Sequence, residues 1–282
     1  MNSSFKHQIK KLIKLALKED IGRADITSKL VVPQNKIVKA NIITKEDFIL
    51  CGIEIAKLIF KTKDKSIKFY SSFKDGDFIK KQTHIADLSG RAHSILACER
   101  VALNFLCLLS GIATKTKKFV DLTQRYKVKI MDTRKTLPGL RILEKYAIRI
   151  GGGFNHRLRL DEMVLIKDNH LKIVALENLE RIFKKNKISK NRKIEIEVKN
   201  LNEFKIALKL KPDIIMLDNM KVSQIREAVK LRGELPVELE ASGGINLRNV
   251  KKIASLGVER ISVGELTHSP ESVEISLEIV NG

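Results

Sequence analysis

The sequence predicts an α/β chain in two parts, a small α+β unit followed by a parallel α/β barrel, and three observations lead there. Strand-like apolar runs begin near residues 128, 164, 194, 213, 236 and 260, with helical segments between most of them. The later runs recur about every twenty residues, the rhythm of successive βα units that feed a parallel sheet. Polar or glycine residues stand just past each run and no GxGxxG follows one, which favours a barrel with its site at the C-terminal strand ends over an open doubly wound sheet.

The elements follow in chain order. Ile9, Leu12, Ile13 and Ala16 recur at helical spacing, so residues 5–18 are expected to form an amphipathic helix. The basic, acid-free opening also suits a transit peptide, but the pattern runs straight into Glu19-Asp20, as a structural helix would. After the turn EDIGRADIT, residues 36–44, 65–73 and 78–88 alternate as strands and residues 52–60 read as a helix. Residues 95–109 form a helix apolar almost all round, which Gly111 is expected to end from the C-cap position. Its polar members are Glu99, Arg100 and Asn104, and Arg100 either pairs with a neighbouring carboxylate or points into a site.

Composition bounds the function. With 282 residues the chain can bury a large core. No uninterrupted run approaches the roughly 18 apolar residues of a membrane span, and no apolar signal segment opens it. The net charge of +21 invites a nucleic-acid reading. The charge is mostly Lys spread over nearly every helix, without zinc-ligand or RNP-like motifs. Weak nonspecific attraction to polyanions is therefore expected, and no specific nucleic-acid partner. Cys51, Cys98 and Cys107 form no CxxC, a pattern of reduced thiols that suits the cytoplasm.

The stretch from Met131 to His170 concentrates cations: Arg134, Lys135, Arg141, Arg149, His156, Arg157, Arg159 and Lys167, interleaved with Pro138-Gly139 and Gly151-Gly152-Gly153. Burying unpaired cations costs several kcal/mol each, roughly, so an anionic ligand is the economical explanation. The bland alternative is an ordinary solvated face. Glu195 and Glu197 alternate onto one strand face, where two like charges in a barrel interior need a cation beside them. Glu197 and Asp218 suit a hard, oxygen-liganded ion such as Mg2+; their alternative is a salt bridge to Lys167 or Arg157. Ser242-Gly243-Gly244 and Ser262-Val263-Gly264 follow the last two strands, where glycine turns let backbone N–H groups approach a phosphate.

These segments resemble quinolinate phosphoribosyltransferase, also called carboxylating nicotinate-nucleotide pyrophosphorylase. EDIGRADIT, ERVALNFL, SGIAT, DTRKTLPGLR, YAIRIGGGFNHR, LIKDNH, EIEV, IIMLDNM, LEASGGI and SVGELTHS carry the likeness over nearly the whole chain. Ala24 and Arg159 stand where the family usually has Gly. The resemblance implies an N-terminal α/β sandwich (1–111, with 268–282 returning to it) and an incomplete α/β barrel (112–267). It implies cytoplasmic transfer of phosphoribose from phosphoribosyl pyrophosphate to quinolinate with Mg2+, giving nicotinate mononucleotide, pyrophosphate and CO2 for NAD synthesis. It also implies a homodimer or larger assembly whose sites are shared, so that Arg100 serves a partner chain.

By the same resemblance, Lys135, Lys167, Glu197 and Asp218 are the expected catalytic residues, the last two as metal ligands. Substrates would be held by Arg100, Thr133, Arg134, Lys135, His156, Arg157, Lys167, Glu197, Asp218, Ser242, Gly243, Gly244, Ser262, Val263 and Gly264. A related phosphoribosyltransferase of the molybdate-transport-associated branch shares the TRKT and GGG segments; Lys167 favours the quinolinate enzyme, whose second carboxylate needs another cation.

Overall fold

The computed structural model describes residues 3–185 and 192–280. The chain divides into two compact units. One holds the chain up to Lys117, Leu137–Gly152 and the chain from Pro270 on, and the other holds Lys118–Thr136 and Gly153–Ser269. The compact units divide at 117/118, a few residues past the expected 111/112, and 137–152, expected in the barrel, groups with the first unit.

The first unit opens with α1 (Ser3–Ile21), which buries Ile9, Ile13 and Leu17. Asp25 caps α2 (Ile26–Val31), accepting the Ser28 N–H at 2.9 Å. Next come β1 (Ile37–Thr44), β2 (Phe48–Ile49), α3 (Ile53–Lys63) and β3 (Lys68–Tyr70). The strand expected over 78–88 is two, β4 (Phe78–Ile79) and β5 (His84–Arg91). The break lies at Gln82, whose φ of 63° is left-handed and whose N–H donates to the Thr44 carbonyl.

Gly111 does not end the long helix. α4 runs from Ala92 to Thr123. A Cβ on Gly111 would lie 1.8 Å from the Glu271 carbonyl oxygen, so this glycine admits a crossing segment of chain. The polar tail of the helix satisfies itself, since Thr114, Thr116 and Thr123 donate their hydroxyls to carbonyls four residues back. By length and composition α4 could cross a membrane, although the sequence showed no such run; 67% of its most apolar window is buried inside the fold, as in a core helix.

The second unit is built on β6 (Lys129–Met131). The chain then carries α5 (Arg141–Ile150) into the first unit, where the Tyr146 hydroxyl donates to Asp75 at 2.6 Å. It returns for β7 (Val164–Ile166), α6 (Asp168–Ile173), α7 (Leu179–Lys185), β8 (Ile194–Val198), α8 (Leu201–Lys209), β9 (Ile214–Asp218), α9 (Val222–Arg232), β10 (Glu238–Ser242), α10 (Val250–Ala254), β11 (Arg260–Ser262) and α11 (Glu265–His268). Every strand starts within about two residues of its expected place.

The six strands lie in the order β6-β11-β10-β9-β8-β7, and every neighbouring pair is parallel. The first strand in sequence is thus beside the last, as closure requires. β6 and β7 are not paired among the described residues; a single bridge, Met131 to Phe154, stands at that edge. The barrel is incomplete where the chain leaves for the other unit. Finally β12 (Ile275–Val280) pairs antiparallel with β1, completing the first unit's four-stranded sheet in the order β12-β1-β5-β3.

Candidate active site

Parallel strands deliver their C-terminal residues to one end of the barrel, and a cavity of about 550 Å³ opens there. Thr133, Arg134 and Lys135 follow β6, His156 and Arg157 follow the bridge at Phe154, and Lys167 and Asp168 follow β7. Glu197, Asp218 with Asn219, Ser242-Gly243-Gly244 and Ser262 come from β8, β9, β10 and β11. Leu165 and Met216 complete the lining.

Twelve of the fifteen expected substrate contacts therefore meet in one cavity. Arg100, Val263 and Gly264 do not line it. Arg100 is an exposed residue of α4 in the first unit. Val263 is fully buried and gives its N–H to the Met131 carbonyl, because it continues the ladder to β6. Gly264 precedes α11, and a Cβ there would lie 3.1 Å from the His268 ring. Met216 could have been found by alternation, two residues before Asp218 on one strand face.

The other cations sort themselves. Arg141 and Arg149 belong to α5 and the first unit. Arg159, which replaces a usual glycine, is exposed and reaches Asp161 at 3.3 Å and Glu162 at 3.6 Å, away from the cavity lining. Arg157 is different: Nη1 donates to the Met163 carbonyl at 2.9 Å, while Nε is buried without a hydrogen-bond partner. Burial, and after it repulsion by Arg134, holds the Arg157 guanidinium below its ordinary pKa. Two mutually repelling guanidiniums in the lining of one cavity call for an anion.

Lys167 Nζ donates to Glu197 Oε2 at 2.6 Å, so the salt-bridge alternative for Glu197 is realised here. Asn219 donates to Asp218 Oδ2 at 3.0 Å, and Lys199 reaches Asp168 at 2.9 Å. The Lys135 turn is fixed twice: its N–H donates to Thr133 Oγ1 at 3.0 Å and its carbonyl accepts from Thr267 at 2.6 Å. Across the cavity Gly243 has φ 89° and Gly244 φ 62°. A Cβ on Gly243 would lie 2.2 Å from Asn219 Oδ1, so close approach of Asn219 requires glycine there.

Below the cavity floor lies a charged layer. His156 Nε2 is 3.0 Å from Glu195 Oε2 and 3.7 Å from Glu240 Oε1, and all three residues are buried. Their ligand atoms lie close enough for a metal ion. Yet Glu240 accepts from Arg260 Nε at 2.6 Å and from the Ser262 hydroxyl at 2.5 Å, so the cation that Glu195 and its neighbours need is a guanidinium. Burial first, and then Glu240, raises the Glu195 pKa above the usual carboxylate range. His156, expected among the substrate contacts, lines the cavity; within the fold its Nδ1 accepts the Arg157 N–H at 2.8 Å and its Nε2 lies 3.0 Å from Glu195.

A cavity at the mouth of a parallel barrel, with facing guanidiniums on one wall and carboxylates and a glycine turn on the other, defines an α/β-barrel enzyme for small polyanions. Models of the N-terminal and C-terminal domains of quinolinate phosphoribosyl transferase match residues 25–110 and 112–278. The probable nicotinate-nucleotide pyrophosphorylase (carboxylating) of Methanocaldococcus jannaschii is 43% identical over 279 residues, 96% of each chain. Among solved structures, the nicotinate-nucleotide pyrophosphorylase of Francisella tularensis superposes with a TM-score of 0.91 at 39% identity, covering 97% of this chain and 96% of that one. The Ehrlichia chaffeensis enzyme of the same name gives 0.91 at 40% identity, covering 96% and 98%. This chain belongs to the quinolinate phosphoribosyl transferase family.

Proposed function

We propose that the enzyme joins quinolinate to phosphoribosyl pyrophosphate, releasing nicotinate mononucleotide, pyrophosphate and CO2 on the route to NAD. The observation that carries this reading is the Arg134–Arg157 wall with Lys167 beside it, enough charge for two carboxylates on one ring. The ring nitrogen bonds to the ribose anomeric carbon as the bond to pyrophosphate breaks. The sugar passes through an oxocarbenium-like state, so positioning the nitrogen and stabilising the leaving charge are the main tasks. Lys135 is assigned to the leaving pyrophosphate and the Gly243-Gly244 turn to the sugar phosphate. The positive charge on the new pyridinium nitrogen then stabilises the electron pair left on the adjacent ring carbon when its carboxylate departs as CO2, and that carbon takes up a proton.

Glu197 and Asp218 are assigned to Mg2+ and the ribose hydroxyls. Each has one carboxylate oxygen engaged, by Lys167 and by Asn219, and among the described residues the other oxygen carries no hydrogen bond, which suits a hard cation. Bound there, Mg2+ would neutralise charge on the pyrophosphate. Arg100 is assigned to the site of a second copy in a dimer or larger assembly, which agrees with its exposure and its absence from its own cavity's lining. Three free thiols support a cytoplasmic setting.

The test is turnover with phosphoribosyl pyrophosphate, Mg2+ and either quinolinate or nicotinate, following the mononucleotide and CO2. A missing carboxylate leaves a cation unpaired, so kcat/KM should favour quinolinate by at least about a hundredfold. Equal turnover of nicotinate refutes the reading.

A further inference from the structure

Beneath the cavity the barrel interior holds charged side chains that the reaction scheme leaves unused: Glu195 and Glu240 beside the His156 ring, and Arg260 paired with Glu240. We propose that Glu195 is a positioning residue for quinolinate binding, acting through the His156 ring on Arg157; this rests on the transferase reading above.

The hydrogen bonds fix the roles. The Arg157 N–H donates to His156 Nδ1 at 2.8 Å, so Nδ1 carries no proton and Nε2 must carry it. Nε2–H then donates to Glu195 Oε2 at 3.0 Å, whatever the charge on that carboxyl group. Glu240 is already occupied by Arg260 and Ser262, which leaves Glu195 as the nearer acceptor. The backbone of the same segment is pinned on the other side, where Asp132 accepts the His156 N–H at 2.8 Å and the Asn155 amide at 2.6 Å. The remaining freedom is rotation of the ring. A half-turn would present carbon to the Arg157 N–H and turn Nδ1 away, and Glu195 opposes it.

Arg157 needs such a frame. Its guanidinium shares the cavity lining with Arg134, whose charge repels it, and its Nε is buried without a hydrogen-bond partner. Holding both its main chain, through His156, and Nη1, through Met163, keeps it poised. Because the role is hydrogen-bond acceptance, a glutamine amide oxygen can fill it.

The experiment measures KM for both substrates in Glu195→Leu, Glu195→Gln and each with Arg157→Lys, with thermal unfolding as a folding control. Losing one partner of a buried hydrogen bond should raise the quinolinate KM about tenfold or more in Glu195→Leu, with the phosphoribosyl pyrophosphate KM within about twofold. Glu195→Gln should stay within about threefold on both. In the Arg157→Lys background the Leu substitution should add less than about threefold, since the two act in series. Equal losses on both substrates, or full additivity, overturn the proposal. So does a loss above about tenfold in Glu195→Gln, whether or not the Leu variant folds. Wild-type protein that turns over no quinolinate refutes the transferase reading and this proposal with it; an active wild type with unselective variants refutes this proposal alone.

Discussion

Replacing Arg157 by methionine should separate binding from stability, because this side chain costs the empty protein about as much as it contributes. Arg157→Met keeps the apolar stem and removes the guanidinium. The lost hydrogen bond to the Met163 carbonyl costs about 1 kcal/mol. Removing a buried Nε donor that has no hydrogen-bond partner offsets this by about 1 kcal/mol, and the Arg134 repulsion is relieved as well. Since 1 kcal/mol moves Tm by about 2–4 °C in a chain of this order, Tm should stay within about 3 °C of wild type. Activity has no such compensation. Truncating one partner of a desolvated ion pair with substrate costs about 2–5 kcal/mol, which lowers kcat/KM by roughly 30-fold to several thousandfold. Differential scanning calorimetry and steady-state assays give both numbers. A Tm lower by about 8 °C or more, with activity per folded molecule preserved, shows that Arg157 is structural and refutes the argument.

Other perturbations test the remaining assignments. Glu197→Gln with Asp218→Asn should weaken the Mg2+ dependence and leave quinolinate affinity intact, since Lys167 is released from its 2.6 Å partner; lost quinolinate affinity with an unchanged Mg2+ optimum contradicts the assignment. Arg100→Ala and Lys167→Ala should each be nearly inactive, yet refolded together they should recover about a quarter of wild-type activity, because half the dimers carry one intact site. Heterodimers confirmed by mass spectrometry but still inactive sink the shared site. Gly111→Ala places a methyl 1.8 Å from the Glu271 carbonyl, so it should cost about 3 kcal/mol or more and lower Tm by about 6–12 °C; an unchanged Tm refutes the close crossing.

What was legible in the sequence follows its periodicities. Period-two runs and the turns beyond them located six barrel strands and most of the cavity wall, since a parallel strand fixes both the face and the end at which its residues emerge. The same alternation placed Glu195 inward. Applied to ELEAS and ERIS it would also have turned Glu240 and Arg260 inward, but no spacing shows that residues on different strands meet. Gly111 misled because a glycine after an apolar helix looks alike whether it ends the helix or admits a crossing chain. Gln82 broke a strand without a glycine or proline to announce it. Arg141 and Arg149 show a limit of another kind: a cationic helix inserted between two barrel strands carries no local sign that it groups with the other unit.

The pairing of β12 with β1 bears on how the chain comes together. The Lys45–Glu274 pair at the end of that ladder spans 229 positions, so the sheet that opens the sequence lacks one of its strands until most of the chain has been synthesised. The βα units from β7 to β11 need only their near neighbours. Assembly should therefore run against the direction of synthesis, the later unit consolidating while the earlier one waits with the β1 edge uncovered. An uncovered edge recruits other strands. How long that edge stays uncovered is set by one antiparallel partnership across 229 positions, and not by the barrel that carries the chemistry.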